Sequence, residues 1–221
     1  RVENVWVRRN HFRGGGGAAV TLNLFANSPQ SYTRNIHIEQ NVAVDRASGF
    51  SVRSFIHPDR GQQPYNIRFA DNEISQCRKP FLVDGVADVA FSGNSFIQCG
   101  EAAEIGWTQS VADIVLQNNS FFRCGTAQGF ALWVRSADGL TLRNNAFVDC
   151  GLADGSLGIP LAFVEGTSRK VTLIDNRIVG QIGRTTEAAT IFNGAAVERG
   201  SLVTTGNTLV GQVANGAANL F

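Results

Sequence analysis

The chain has 221 residues, 43% of them hydrophobic, enough for one domain with a sizeable core. With 19 basic and 18 acidic side chains its formal net charge is +1, so nucleic acid and anionic membrane surfaces are not expected partners. No stretch is long and apolar enough to span a bilayer as a helix, so membrane insertion of that kind is not expected.

In chain order, one pattern recurs. Val5 and Val7 stand five and three residues ahead of Asn10. The same two positions hold Ile36 and Ile38 before Asn41, Ile67 and Phe69 before Asn72, and Val89 and Phe91 before Asn94. Ile114 and Leu116 precede Asn119, Leu140 and Leu142 precede Asn145, and Val171 and Leu173 precede Asn176. Leu202 and Thr204 close the series before Asn207, and the eight Asn are 31, 31, 22, 25, 26, 31 and 31 residues apart. A period of two predicts strands with one buried face, and segments this short and β-branched are not helices. An apolar residue two positions after most of the Asn (Phe12, Ile74, Phe96, Phe121, Phe147, Ile178, Leu209) shows the chain turning and re-entering a core. A further apolar run follows, as at residues 81–83 and 130–134.

Two or three short strands per unit, repeated eight times, predict an all-β, right-handed parallel β-helix of about eight coils. A leucine-rich horseshoe would need a helical half, and no unit has a helical period. An Asn at each turn can satisfy unpaired backbone groups, tolerate a left-handed backbone and bond to the Asn of the next coil, so these Asn predict a structural ladder. The chain opens at Arg1 inside a strand-like stretch and stops abruptly at Phe221, whereas repeat stacks need polar caps. Residues 1–221 are therefore expected to form a single β-helix domain, a segment of a longer chain lacking its own caps.

Gly14 to Gly17 lack the Lys-Ser/Thr and the helix of a phosphate loop, and predict a turn. Extra residues fall at 25–34 and 56–65, ahead of the Asn strand, and at 151–159 and 180–187, after it. Insertions on one side of a solenoid often shape a binding groove. Cys77, Cys99, Cys124 and Cys150 each stand five residues after an Asn. Coils about 4.8 Å apart would align them in a column pointing one way. That suits inert buried thiols better than disulfides or a tetrahedral zinc site.

Outward positions carry the candidate chemistry. Ahead of the Asn, Trp6, His37 and Arg68 share one register position, and Arg8 and Glu39 the next. His37 is a candidate catalytic group, against the plainer reading of a solvated histidine among surface charges. On the later strand the outward residues are Arg53, Asp84, Glu104, Trp133 with Arg135, and Glu165, with Trp107 close behind Glu104. Ring faces stack on sugars and Arg forks grip carboxylates, so these residues are candidate polysaccharide contacts. The plainer alternative is a salt-bridged, solvent-exposed sheet face.

Residues 94–110, NSFIQCGEAAEIGWTQS, resemble the chondroitinase B and alginate lyase family of β-helix polysaccharide lyases. That family shows N-x-F, a short turn, an E-x-E-I segment and then a Lys-Ser. Residues 129–135, GFALWVR, are similar to the strand that ends in its catalytic Arg one coil on. The resemblance implies Arg135 as the catalytic Arg, Glu104 as a metal-coordinating Glu and Glu101 as its partner, with calcium the ion such carboxylates would hold. No other residues call for a cofactor. The chain departs from the family at Gln109, which stands at the catalytic Lys and cannot take a proton from the uronate C5. Ser136 and Ala137 also replace a His-Gly after the Arg. Lys79 and His37 are then the residues to consider as the base. The clustered Asp and Gly-His-Gly of polygalacturonases and the Asp cluster of pectate lyases are absent. His57-Pro58-Asp59 scrambles the Asp-Pro-His of mannuronan epimerases and predicts a turn.

The leading expectation is a protein, extracellular or periplasmic, that binds an acidic polysaccharide along one solenoid face. Whether it also processes the chain by lyase- or C5-epimerase-like β-elimination is left open. The alternatives are a non-enzymatic β-helix, such as a tailspike or adhesin segment, and an interaction scaffold in a larger assembly. The same solenoid hosts all of these, so the fold does not choose among them. Nothing in the sequence fixes the oligomeric state.

Overall fold

The computed structural model describes residues 2–24, 32–54, 64–151, 159–179, 192–193 and 197–210. Their strands form three parallel sheets, and no helix occurs among them. The first sheet stacks Val2–Arg8, Thr33–Glu39, Tyr65–Ala70, Ala87–Ser92, Val111–Gln117, Ala137–Arg143, Arg169–Ile174 and Leu202–Thr205. The second stacks the three-residue strands that follow each Asn, from His11–Arg13 to Thr208–Val210. The third stacks Ala18–Leu24, Ser48–Ser54, Lys79–Asp84, Ala103–Ile105, Phe130–Val134, Ile159–Phe163 and Phe192–Asn193. Each strand pairs with its equivalent one coil away and never with its sequence neighbour, which defines a parallel β-solenoid. Against about eight coils expected, seven carry all three strands among the described residues; residues 202–210 supply two more strands. The insertions expected at 25–34, 56–65, 151–159 and 180–187 lie mostly outside the described residues, as does His57-Pro58-Asp59.

Register places like side chains over like. Ile36 pairs with Ile67, Ile67 with Val89, Val89 with Ile114 and Ile114 with Leu140, all with no exposed surface. Inside, Phe50, Phe69, Phe91 and Phe81 follow one another at ring separations of 4.8, 4.5 and 4.3 Å, and Phe96, Phe121 and Phe147 stack at 4.7 Å. Each buried Phe contributes about 1.5–3 kcal/mol, and each ring pair about 0.5–1.5 kcal/mol more.

The eight Asn form a continuous ladder. In the middle of it, Asn94 N and Asn94 Nδ2 both donate to Asn119 Oδ1, at 3.0 and 2.9 Å. Asn94 Nδ2 also donates to Phe69 O at 3.0 Å. The same set recurs from Asn10 to Asn207, so every interior carboxamide accepts twice and donates twice. Asn41, Asn72, Asn94, Asn119, Asn145 and Asn176 are at most 2% exposed.

The corners were not visible in the sequence. Around Asn119, Asp113, Asn118 and Arg123 have φ of 52°, 56° and 50°; around Asn72, Asn66, Asp71 and Gln76 have 55°, 54° and 53°. A left-handed non-Gly residue costs about 1–3 kcal/mol unless its surroundings enforce it. Here coil-to-coil bonds do so: Asn118 N donates to Arg143 O at 3.0 Å and Arg123 N to Val148 O at 2.9 Å. At the first of these corners Asn66 Nδ2 donates to Asn35 Oδ1 and Asn35 Nδ2 to Asn4 Oδ1, a second, outer ladder.

The cysteines form the expected buried column of free thiols, between 0 and 4% exposed. Cys124 Sγ and Cys150 Sγ each lie 3.3 Å from a carbonyl of the preceding coil, Phe96 O and Phe121 O. Burial pushes the thiols of Cys77 and Cys150 above their ordinary value. The Gly14–Gly17 turn is pinned by Arg46, which donates to Gly14 O and, at 3.1 Å, to Ala18 O.

Candidate functional site

On the third sheet the expected single line of outward residues resolves into two. Val83 pairs with Ile105 and Ile105 with Val134, all pointing inward. One position earlier, Leu82, Glu104 and Trp133 line up. One position later, Arg53 pairs with Asp84, and the same register carries on through Gly106 to Arg135. Part of this face is closed to solvent, since Leu82, Asp84 and Glu104 are only 3%, 3% and 5% exposed.

Burial of a carboxylate requires partners. Asp84 finds them in the turn after Ile105. Its Oδ1 accepts from Thr108 N at 2.9 Å and from Gln109 N at 2.8 Å, and its Oδ2 accepts from Thr108 Oγ1. Asp84, expected as a ligand contact, is therefore a brace for residues 106–110. Gly106 starts that turn at φ 68°, and a Cβ there would fall 2.0 Å from Ser136 O, so only glycine fits.

Glu104 pairs with Lys79, Nζ to Oε1 at 2.5 Å, and Glu101 Oε2 lies 3.6 Å from the same ammonium. The metal reading of Glu101 and Glu104 does not fit this geometry: the cation between the carboxylates is the chain's own lysine. Among the described residues no group of His, Cys, Asp and Glu suits a metal ion.

The braced turn holds Trp107. Its ring meets that of Trp133 edge-on at 5.0 Å, and Phe130 lies 5.6 Å from Trp133. The Arg135 guanidinium carbon sits 4.0 Å from the Trp107 ring centroid and 6.0 Å from that of Trp133, and Nη1 donates to Trp107 O at 3.1 Å. Nη2 is taken by Glu165 Oε2 on the next coil. Three aromatic rings and an arginine thus form one cluster across two coils. Of its members, Trp107, Trp133 and Arg135 were legible as outward residues, as was Glu165 beside it; Phe130 was legible only as part of an apolar run.

The other candidates separate from this cluster. Gln109 is exposed on the braced turn, its side-chain oxygen close against Gly85. Arg53 is two coils before Glu104 on the same face. His37 stands on the first sheet, where it stacks on Trp6 at 5.5 Å and places Nδ1 3.3 Å from Glu39 Oε1. Its sheet differs from that of Lys79, Glu104 and Arg135.

A family model described as a right handed beta helix region matches residues 61–219. No curated protein and no solved structure gives a significant match.

Proposed function

The chain belongs to the right-handed β-helix family, and we propose that it binds an acidic polysaccharide on the outward face of its third sheet, outside the cytoplasm. The observation that carries this reading is the cluster of Trp107, Trp133 and Phe130 around Arg135. Aromatic faces stack on the apolar faces of sugar rings, and a guanidinium fork matches a carboxylate. Arg135 is fixed over Trp107 by a backbone hydrogen bond, so little side-chain freedom is lost on binding. Binding is favoured over cleavage because neither candidate base is placed for the reaction: the Lys79 ammonium is engaged by Glu104 and Glu101, and His37 stands on the first sheet beside Glu39, away from Arg135.

The test is calorimetric titration with oligosaccharides of alginate, pectate and glycosaminoglycans. We expect binding of an acidic sugar by the wild type and a loss of about tenfold or more for Trp107→Ala, the order of 1.4 kcal/mol and above for a stacked ring. An unchanged affinity in Trp107→Ala would remove this face as the site. Release of unsaturated product by the wild type would refute the preference for binding.

A further inference from the structure

We propose that Glu165 stands in for the carboxylate of the ligand, so that the sugar bound beside Arg135 is a uronate that displaces it. The inference rests on the sugar-binding reading of this face and names the ligand's chemical class and the way entry is controlled. Arg135 makes two kinds of contact. Its Nη1 bond to Trp107 O, 3.1 Å, and its seat 4.0 Å over the Trp107 ring belong to the turn that Asp84 braces. Neither depends on Glu165. Its Nη2, by contrast, is held by a carboxylate from the next coil that is 58% exposed, while the guanidinium side chain is 28% exposed.

One arm of the fork is therefore anchored by the protein and the other is given to an ion that water already reaches. Exposed ion pairs are weak, because both ions keep much of their hydration and the side chains lose freedom. A carboxylate arriving on a sugar ring that also packs against Trp107 or Trp133 brings contact area that Glu165 lacks, and can exchange for it. The corner carrying Glu165 does not have to move when this happens. Glu165 has φ 63° and Gly166 φ 87°, and a Cβ on Gly166 would fall 2.6 Å from Arg135 O, so the backbone is seated under Arg135 independently of the carboxylate. Only the side chain swings out. A neutral sugar offers Nη2 no charge in exchange and leaves the pair in place.

The experiment compares the wild type with Glu165→Gln, Glu165→Gly and Arg135→Ala by calorimetry. The probes are hexasaccharides of galacturonate, mannuronate and guluronate, each with its methyl ester, which keeps the sugar and removes the charge. Glycine suits the left-handed φ, so Glu165→Gly guards against a variant that misfolds. Both Glu165 variants are expected to bind the free acid about two- to fivefold tighter than wild type, the factor set by loss of a weak competing pair. Neither should change affinity for the ester, and Arg135→Ala should lose about tenfold or more for the acid alone. Equal or weaker acid binding in both Glu165 variants overturns the proposal, as does an equal gain for the ester or tighter binding of a sulfated chain of the same length. The two readings fail differently. If the wild type binds the acid through Trp107 and the Glu165 variants gain nothing, only the stand-in falls. If no hexasaccharide binds wild type or variants, both fall.

Discussion

Asn119→Ala tests how much the ladder holds the coils together. The substitution removes four hydrogen bonds: Asn119 Nδ2 to Phe91 O and to Asn145 Oδ1, at 2.9 and 3.0 Å, and those that Asn119 Oδ1 accepts from Asn94 N and Asn94 Nδ2, at 3.0 and 2.9 Å. Asn145 Oδ1 keeps the bond from Asn119 N, and Asn94 Nδ2 keeps Phe69 O for its other hydrogen. What is stranded is the Asn94 N–H and one Asn94 amide hydrogen, in a site 1% exposed. At about 1–3 kcal/mol for each of these two buried groups left unsatisfied, the loss should be about 2–6 kcal/mol. Asn10→Ala is the internal control. Asn10 donates to Arg8 O and Asn41 Oδ1 but sits in an exposed position, so its loss should stay below about 1 kcal/mol. Urea midpoints at a common slope measure both. Equal midpoints for the two variants, or Asn119→Ala within about 0.5 kcal/mol of wild type, would refute the account of the ladder as a buried and saturated network.

Two further predictions concern the thiols and the brace. Burial raises the thiols of Cys77 and Cys150, so the unfolded chain gives up these protons first as pH rises; stability should fall above the unfolded value of about 8.5, and the native protein should react slowly with a thiol reagent while all four cysteines react in denaturant. Four fast thiols without denaturant would end that account. Asp84→Ala removes the acceptor for Thr108 N, Thr108 Oγ1 and Gln109 N, and should cost about 1.5–3 kcal/mol. It should also free Trp107, seen as a changed tryptophan emission; an unaltered spectrum would mean that the turn is held by something else.

The inner rows were legible because they are periodic: each inward pair repeats at the same distance ahead of an Asn, and the solenoid stacks like on like. The left-handed corners were not, since Arg9, Gln40 and Arg123 occupy them as well as Asn and Asp, and no residue type marks the position. The outward residues of the third sheet misaligned for a different reason. Its strands have unequal lengths, seven residues in Ser48–Ser54, six in Lys79–Asp84 and three in Ala103–Ile105, so counting from the Asn does not give the register. The burial of Glu104 and Asp84 escaped notice because their partners are far away in sequence: Lys79 on the neighbouring strand for Glu104, and the turn at 106–110 for Asp84.

Those buried charges bear on where the molecule works. On the first sheet the outward charges sit in water and pair across coils, as Arg8 does with Glu39 and Arg68 with Asp88, which is what an exposed sheet requires and little more. On the third sheet Lys79 and Glu104 are 14% and 6% exposed in their side chains, and Asp84 is 3% exposed. Desolvating such ions costs several kcal/mol apiece, and an apolar pair of the same volume commonly leaves a fold equally stable or more so. Stability of the stack therefore does not explain their presence, and Leu82 beside Glu104 shows that the sheet accepts an apolar residue at this register position. What the charges do achieve is local: Asp84 fixes the turn that carries Trp107, and Trp107 in turn fixes Arg135. Asp84, through that turn, thus helps to hold one guanidinium and its ring in place, which the proposed sugar-binding reading requires and the stacking of the coils does not.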